Sequence, residues 1–249
     1  MPLMDEFKEE RDAVKNGTPK QKLAYFWDYY KWYVIVGIAA VIILIATIRD
    51  IVSKKEIAFF ACMLNLSSEY MDDSATESAK GFTEYSGIDT KEYEVRLDTS
   101  FQLNDRADVA VNTSQKLLAY LVSSDIDVIV SDSESVMDLA YNGYFYDMRD
   151  FLSPEQLEAY GDCFYYIDNA IVEEAKAAHE AVDLSYTPTY ADPFKPEDMK
   201  EPIPVGIVLP EHCILKKEYS FGTKAGVISV VKNSKHTDLS HAFIEFIMQ

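Results

Sequence analysis

The chain has little cysteine, little histidine and little basic charge, and each shortage excludes something. Its three cysteines, Cys62, Cys163 and Cys213, are too few and too scattered for a disulfide scaffold. A single Cys163–Cys213 bridge stays open for a body outside the cell. No CxxC and no spaced Cys/His set is present, which removes structural zinc. GxSxG, HExxH and a phosphate loop are all missing. The four histidines, His179, His212, His236 and His241, stand in no triad or ligand spacing. Neither an enzyme nor a cofactor is therefore expected. Lysine and arginine number 23 against 42 acidic residues, a net charge of −19. Residues 1–31 are balanced, with six residues of each sign, and Arg49 cancels Asp50, so the whole excess falls on 51–249. A body so acidic argues against nucleic acid and against close contact with anionic lipid. No internal repeat or low-complexity tract is evident.

What is present begins with Trp32–Ile48, WYVIVGIAAVIILIATI, 17 residues without a charge. A run of this length and composition reads as a transmembrane helix at the short end of the usual range. In YFWDYYKWY (25–33) seven of the nine residues are aromatic, and both tryptophans of the chain fall there. Amphipathic rings prefer the headgroup level, so this cluster reads as an interfacial belt, with Lys31 and Arg49 snorkelling to opposite interfaces. A polar head of 31 residues precedes the run and favours an uncleaved signal anchor over a cleaved signal peptide. Lys8, Arg11, Lys15, Lys20, Lys22 and Lys31 lie on one side, against Arg49, Lys54 and Lys55 on the other. That bias places the head in the cytoplasm and the body outside. The expected organisation is a cytoplasmic head over 1–31, a membrane helix over 32–50 and an extracytoplasmic domain over 51–249.

The body alternates strand and helix patterns. Glu56–Asn65 is an apolar run of strand length, suited to a strand buried on both faces. Ser74–Tyr85 reads as a helix with Gly87 as its stop, Glu92–Leu97 as a strand and Asp105–Ser123 as an amphipathic helix. Asp125–Val130 is a second buried strand, followed by a helical Val136–Tyr144. Ser153-Pro154-Glu155-Gln156 is a helix start with a capping box. A helix over 168–181, a proline-rich segment over 183–204, strands over 204–209 and 225–231, and a final helix capped by Thr237 or Asp238 complete the pattern. Little strand is evident between Glu155 and Pro204. Such alternation predicts an α/β domain with a largely parallel sheet.

Two segments resemble a known family. DIDVIVSDSESVMDLAYNGYFYDMRDFLSPEQ (125–156) and GVISVVKNSKHTDLSHAFIEFI (226–247) resemble the strand-to-helix and closing segments of bacterial extracellular solute-binding proteins of the type 2 periplasmic-binding fold. TPKQKLAYFWDYYKWYVI is similar to the juxtamembrane segment of single-pass proteins of clostridial-type bacteria. The resemblance implies a mixed sheet with flanking helices, a second lobe reduced in this chain, and non-catalytic capture of a small solute by hinge closure. An ABC-type permease or another envelope protein would be the partner. A degenerate binding fold that serves as an interaction or assembly module is the alternative.

In open α/β sheets, ligands bind beyond the carboxyl ends of strands. Two loops qualify, Asn65-Leu66-Ser67-Ser68 and Ser131-Asp132-Ser133-Glu134-Ser135. Asn65, Ser67, Ser68, Ser131, Asp132 and Ser133 are the candidate solute ligands. Asp132 and Glu134 would favour an amine, a sugar hydroxyl or a cation. The same residue types are also ordinary helix caps. Tyr141, Tyr144 and Tyr146 could line a cleft or belong to the core.

Overall fold

The computed structural model describes residues 18–53, 55–70, 75–183 and 185–249. The chain divides into two units, Met1–Lys54 and Lys55–Gln249.

In the first unit, α1 (Pro19–Ser53) is one continuous helix of 35 residues. Proline at its first position has no N–H to lose, and the Lys22 amide donates to Thr18 O at 3.1 Å. The helix thus begins well ahead of the apolar run and carries the aromatic cluster as well, with Phe26 and Tyr30 stacked 5.3 Å apart. Tyr30–Arg49 is long and apolar enough to cross a bilayer, and none of its window is buried against protein. Its 20 residues rise about 30 Å at 1.5 Å each.

The second unit is built on β1 (Glu56–Leu64), β2 (Ser67–Ser68), α2 (Glu77–Ser86), β3 (Tyr93–Asp98), α3 (Ala107–Ser123), β4 (Val128–Asp132), α4 (Met137–Tyr141), α5 (Met148–Phe151) and α6 (Pro154–Tyr160). It continues through β5 (Phe164–Asp168), α7 (Asn169–Glu180), β6 (Pro202–Val208), α8 (Ile214–Glu218), β7 (Tyr219–Ser220), β8 (Gly226–Val230) and α9 (Thr237–Met248). Six strands form one sheet in the order β3-β1-β4-β8-β6-β5, and β2 pairs with β7 apart from it.

Strand β1 explains the layering. Its alternate residues feed two cores, Phe59, Ala61 and Met63 on one face and Phe60, Cys62 and Leu64 on the other. All six are fully buried, the reason the sequence there is apolar without alternation. On the first face, Phe59, Phe82 and Phe243 meet with ring centroids 4.9 Å apart, which joins β1 to α2 and α9. On the second, Leu117 and Leu121 of α3, Leu139 of α4 and Val172 of α7 cover the sheet.

The ends of the helices follow local chemistry. Thr76 Oγ1 accepts from the Ala79 amide at 3.2 Å, and Gly87 closes α2 at φ 67°, where a side chain would be strained. The expected start at Ser74 lies outside the described residues. Ser153 and Gln156 form the expected capping box of α6. At α9, His236 occupies the cap position and Thr237 is already helical, with no side-chain cap bond. Helix α4 ends at Tyr141, earlier than expected, because Asn142 leaves the helical run and Gly143 turns at φ 76°.

Three expectations require correction, and one question the sequence left open is answered. The sheet is not largely parallel. β1 runs parallel to β3 and β4, whereas β4–β8, β8–β6 and β6–β5 are antiparallel. A strand buried on both faces reads the same in either direction, so its pattern could not report polarity. Residues 164–168, passed over in sequence, form the edge strand β5, which runs straight into α7 with no loop between them. The reduced second lobe is not a separate layer, because among the described residues the segment between β4 and β6 returns β5 to the edge of the same sheet. Finally, Cys163 and Cys213 are free thiols, not a bridge.

Candidate functional site

Strands β1 and β4 are parallel neighbours with Leu64 beside Ser131, so the two predicted loops leave the sheet side by side. Asn65, Ser131, Asp132 and Ser135 meet there. Ser131 Oγ donates to Leu64 O at 3.0 Å and is fully buried. Asn65, at φ 55°, accepts from the Leu103 amide at 2.6 Å and donates to Ser135 Oγ at 2.8 Å. Ser135 Oγ in turn donates to Asp132 Oδ2 at 2.6 Å, while Asp132 Oδ1 accepts from the Glu134 and Ser135 amides at 3.0 and 3.1 Å. Ser133 is held by its backbone: its amide donates to Ala225 O at 2.9 Å, and its carbonyl accepts from Tyr165 OH at 2.8 Å. Burial pushes the Tyr165 phenol well up, so it stays a donor. Glu134 pairs with Lys224. Ser67 and Ser68 belong instead to the β2–β7 ladder, with Ser68 Oγ accepting from the Tyr70 amide at 3.1 Å. Asn65, Ser131 and Asp132 thus spend their polar atoms on one another's strands and loops.

A groove of about 660 Å³ lies elsewhere, between the α4 end and α7. Its floor is Ile167 of β5 with Ile203 and Val205 of β6, closed by Phe145. Phe145 is positioned by its bridge to Val231 and by the neighbouring bonds Tyr146 N to Val230 O and Lys232 N to Tyr144 O, both 2.9 Å. One wall is the α7 face of Val172, Ala175, Lys176 and His179, spaced i, i+3, i+4, i+7. Lys232, Asn142 and Asp147 complete the rim. Of the three tyrosines considered in sequence, Tyr141 lines this groove. Its ring stacks on Tyr190 with centroids 4.1 Å apart, and burial raises its phenol pKa.

Asp168 sets the floor and wall in register. Its carboxylate accepts from the Ala170, Lys200 and Glu201 amides at 3.1, 2.9 and 3.0 Å, capping α7 and tying it to the approach of β6. Burial acts to raise its pKa, but those three donors outweigh it and hold the carboxyl below its ordinary value. A smaller groove of about 440 Å³ lies beside Cys163, Tyr166 and Phe194. Among the described residues, no three His, Cys, Asp or Glu side chains converge as a metal site.

Sequence reasoning missed the groove because its parts lie in four separate segments. The legible signal was α7 itself, whose apolar and basic residues share one face.

No protein-family model matches the chain, and no curated protein matches it. Among solved structures, iron-bound HitA from Pseudomonas aeruginosa superposes over 78% of this chain and 80% of its own, at 14% sequence identity and a TM-score of 0.33. At that level the superposition carries no functional weight.

Proposed function

We propose that the chain is a single-pass membrane protein whose body, outside the cytoplasm, captures a small solute without transforming it. The observation that supports this most is the α4–α7 groove. Its volume falls within the roughly 300–1,000 Å³ usual for small-molecule sites, and a few polar groups converge on an apolar floor. The larger number of lysines and arginines ahead of the apolar run than just after it supports a cytoplasmic head, and a permease or other envelope protein would receive the solute. With six of the body's strands in one continuous sheet, the reading needs no hinge between lobes. It also shifts weight from Asn65, Ser67, Ser68, Ser131, Asp132 and Ser133 to the groove, since most of those polar groups already have protein partners.

A thermal-shift screen of the full chain in detergent against amino acids, sugars, polyamines and organic acids tests the reading. A ligand specific for the folded state at a hundredfold excess over its dissociation constant adds about 2.7 kcal/mol. The rise should vanish in Ala175→Trp, which fills the groove. No shift with any class would refute solute capture.

One observation favours the interaction-module reading. Val111, Leu118 and Val122 of α3 are 56%, 44% and 76% exposed and lie on one helical face. Uncovered apolar stripes of this kind mark protein contacts. Loss of a co-purifying envelope partner in Leu118→Glu, with the fold intact, would move the assignment there.

A further inference from the structure

Resting on the groove reading above, we infer that the α4–α7 groove is selective for organic anions: molecules with an apolar body and one acidic head. The molecule as a whole would lead one to expect the opposite, because its net charge is −19. The groove inverts that local balance. Three basic side chains, Lys176, His179 and Lys232, line it against one carboxylate, Asp147.

The carboxylate is already committed. Arg149 Nε lies 3.0 and 3.1 Å from the two Asp147 oxygens, and Nη2 lies 2.6 Å from Oδ2. Asp147 also accepts from the Arg149 amide at 2.9 Å. It therefore presents little net negative charge to a guest. Lys176 is partly committed too, paired with Glu173 at 2.7 Å. Lys232 is different. Among the described residues its ammonium has no carboxylate within ion-pair reach, and its backbone is fixed by the Tyr144 carbonyl. An unpaired lysine on the rim of a concave, partly apolar site interacts with an acidic head more strongly than a surface lysine does, because the walls exclude part of the solvent.

The α7 dipole works the other way. His179 sits in the last turn of α7 and Lys176 just before it, where the helix carbonyls disfavour an anion. Lys232 comes from the end of β8 and bears no such penalty, so it is the principal head-binding group and His179 an auxiliary N–H donor. Ile167, Ile203, Val205, Val172 and Phe145 supply the surface that an apolar body would cover. A simple inorganic anion would leave that surface empty, which is why the class is organic.

The test uses the full chain in phosphatidylcholine nanodiscs, with empty discs as the blank. Equilibrium dialysis compares three probes of one shape: 4-phenylbutyrate, 4-phenylbutan-1-ol and 4-phenylbutylammonium. The expected result is that the carboxylate binds at least about tenfold more tightly than the alcohol, and the ammonium more weakly than either. Lys232→Gln should bring the carboxylate to the alcohol's affinity and leave the alcohol unchanged. Ala175→Trp should abolish all three. Binding of the three probes with equal affinity, still blocked by Ala175→Trp, would overturn the anion inference and leave solute capture standing. Preference for the ammonium would do the same. Carboxylate preference that survives Lys232→Gln or Ala175→Trp would place the anion site elsewhere and overturn the inference. No binding of any probe would overturn the anion inference, and solute capture would fall only if the wider thermal-shift screen were also blank.

Discussion

Asp127 offers the sharpest test of how the body is held together. It is 1% exposed and stands at the foot of β4. Its Oδ2 accepts from the Phe60 amide of β1 at 2.8 Å, and its Oδ1 accepts from the Ser234 hydroxyl at 2.6 Å. His236 Nδ1 lies 3.2 and 3.3 Å from the two oxygens, and the His236 amide donates to Ser234 Oγ at 3.1 Å. Asp127 therefore joins the central strand to the turn that launches α9. Asp127→Ala strands the fully buried Phe60 amide, at about 1–3 kcal/mol, and removes two more bonds to a charged acceptor. The bonds are not additive, and a net loss of about 3 kcal/mol is expected. For a domain of this size that lowers the unfolding midpoint by roughly 6–12 °C. Trp27 and Trp32, the two tryptophans of the chain, lie in α1, so tryptophan fluorescence would report that helix. Near-ultraviolet circular dichroism of the tyrosines reports the body. Ser234→Ala should be non-additive with Asp127→Ala by at least about 0.5 kcal/mol. A loss below about 1 kcal/mol, or full additivity, would refute the reasoning.

Asp168 predicts a pH signature. Its folded pKa is lowered, so its stabilisation is complete above the ordinary value of 3.8 and is lost as pH falls through the lower folded value. Asp168→Asn should cost about 1–3 kcal/mol at pH 7, with the gap to wild type closing under acid; a gap constant with pH would refute this. Burial raises the pKa of the Cys62 and Cys213 thiols, with Asp98 adding to the effect at Cys62. Iodoacetamide on the folded chain should therefore label Cys163 alone by mass spectrometry, and all three in denaturant. Gly206 faces β8 so closely that a Cβ would lie 2.6 Å from Ser229 Oγ and 2.8 Å from Val227 Cγ1. Gly206→Ala should cost about 1–3 kcal/mol by chemical denaturation, and Ser229→Ala should recover part of it. Glu218, 8% exposed, accepts from the Glu77 and Ser78 amides at 2.5 and 3.1 Å, so Glu218→Ala should speed hydrogen exchange in the first turn of α2. Unchanged exchange there would refute the remote cap.

Sequence alone determined the local elements, because their causes are local. The 17-residue uncharged run, the Ser153–Gln156 capping box, the Gly87 stop and the doubly apolar β1 each carry their physical reason within a few residues. What depended on partners distant in the chain was decided only by the tertiary structure. The insertion of β8 between β4 and β6, antiparallel to both, makes the sheet mixed. Two faces of burial erase the alternation that would distinguish one strand environment from another. β5 escaped notice because its five residues are too few to show a period before Asp168 starts the next helix. Of the two predicted loops, Ser131 and Asp132 are the last residues of β4 and Ser67 and Ser68 form β2, while Asn65 follows β1 directly. Only their proximity in space shows that Asn65, Ser131, Asp132 and Ser135 bond among themselves and their strands. The groove required Phe145, β5, β6 and α7 to meet, and no spacing in the sequence encodes that meeting. Side-chain chemistry belongs to the residue, but whether a polar atom is free to bind a solute depends on what the fold has already placed beside it.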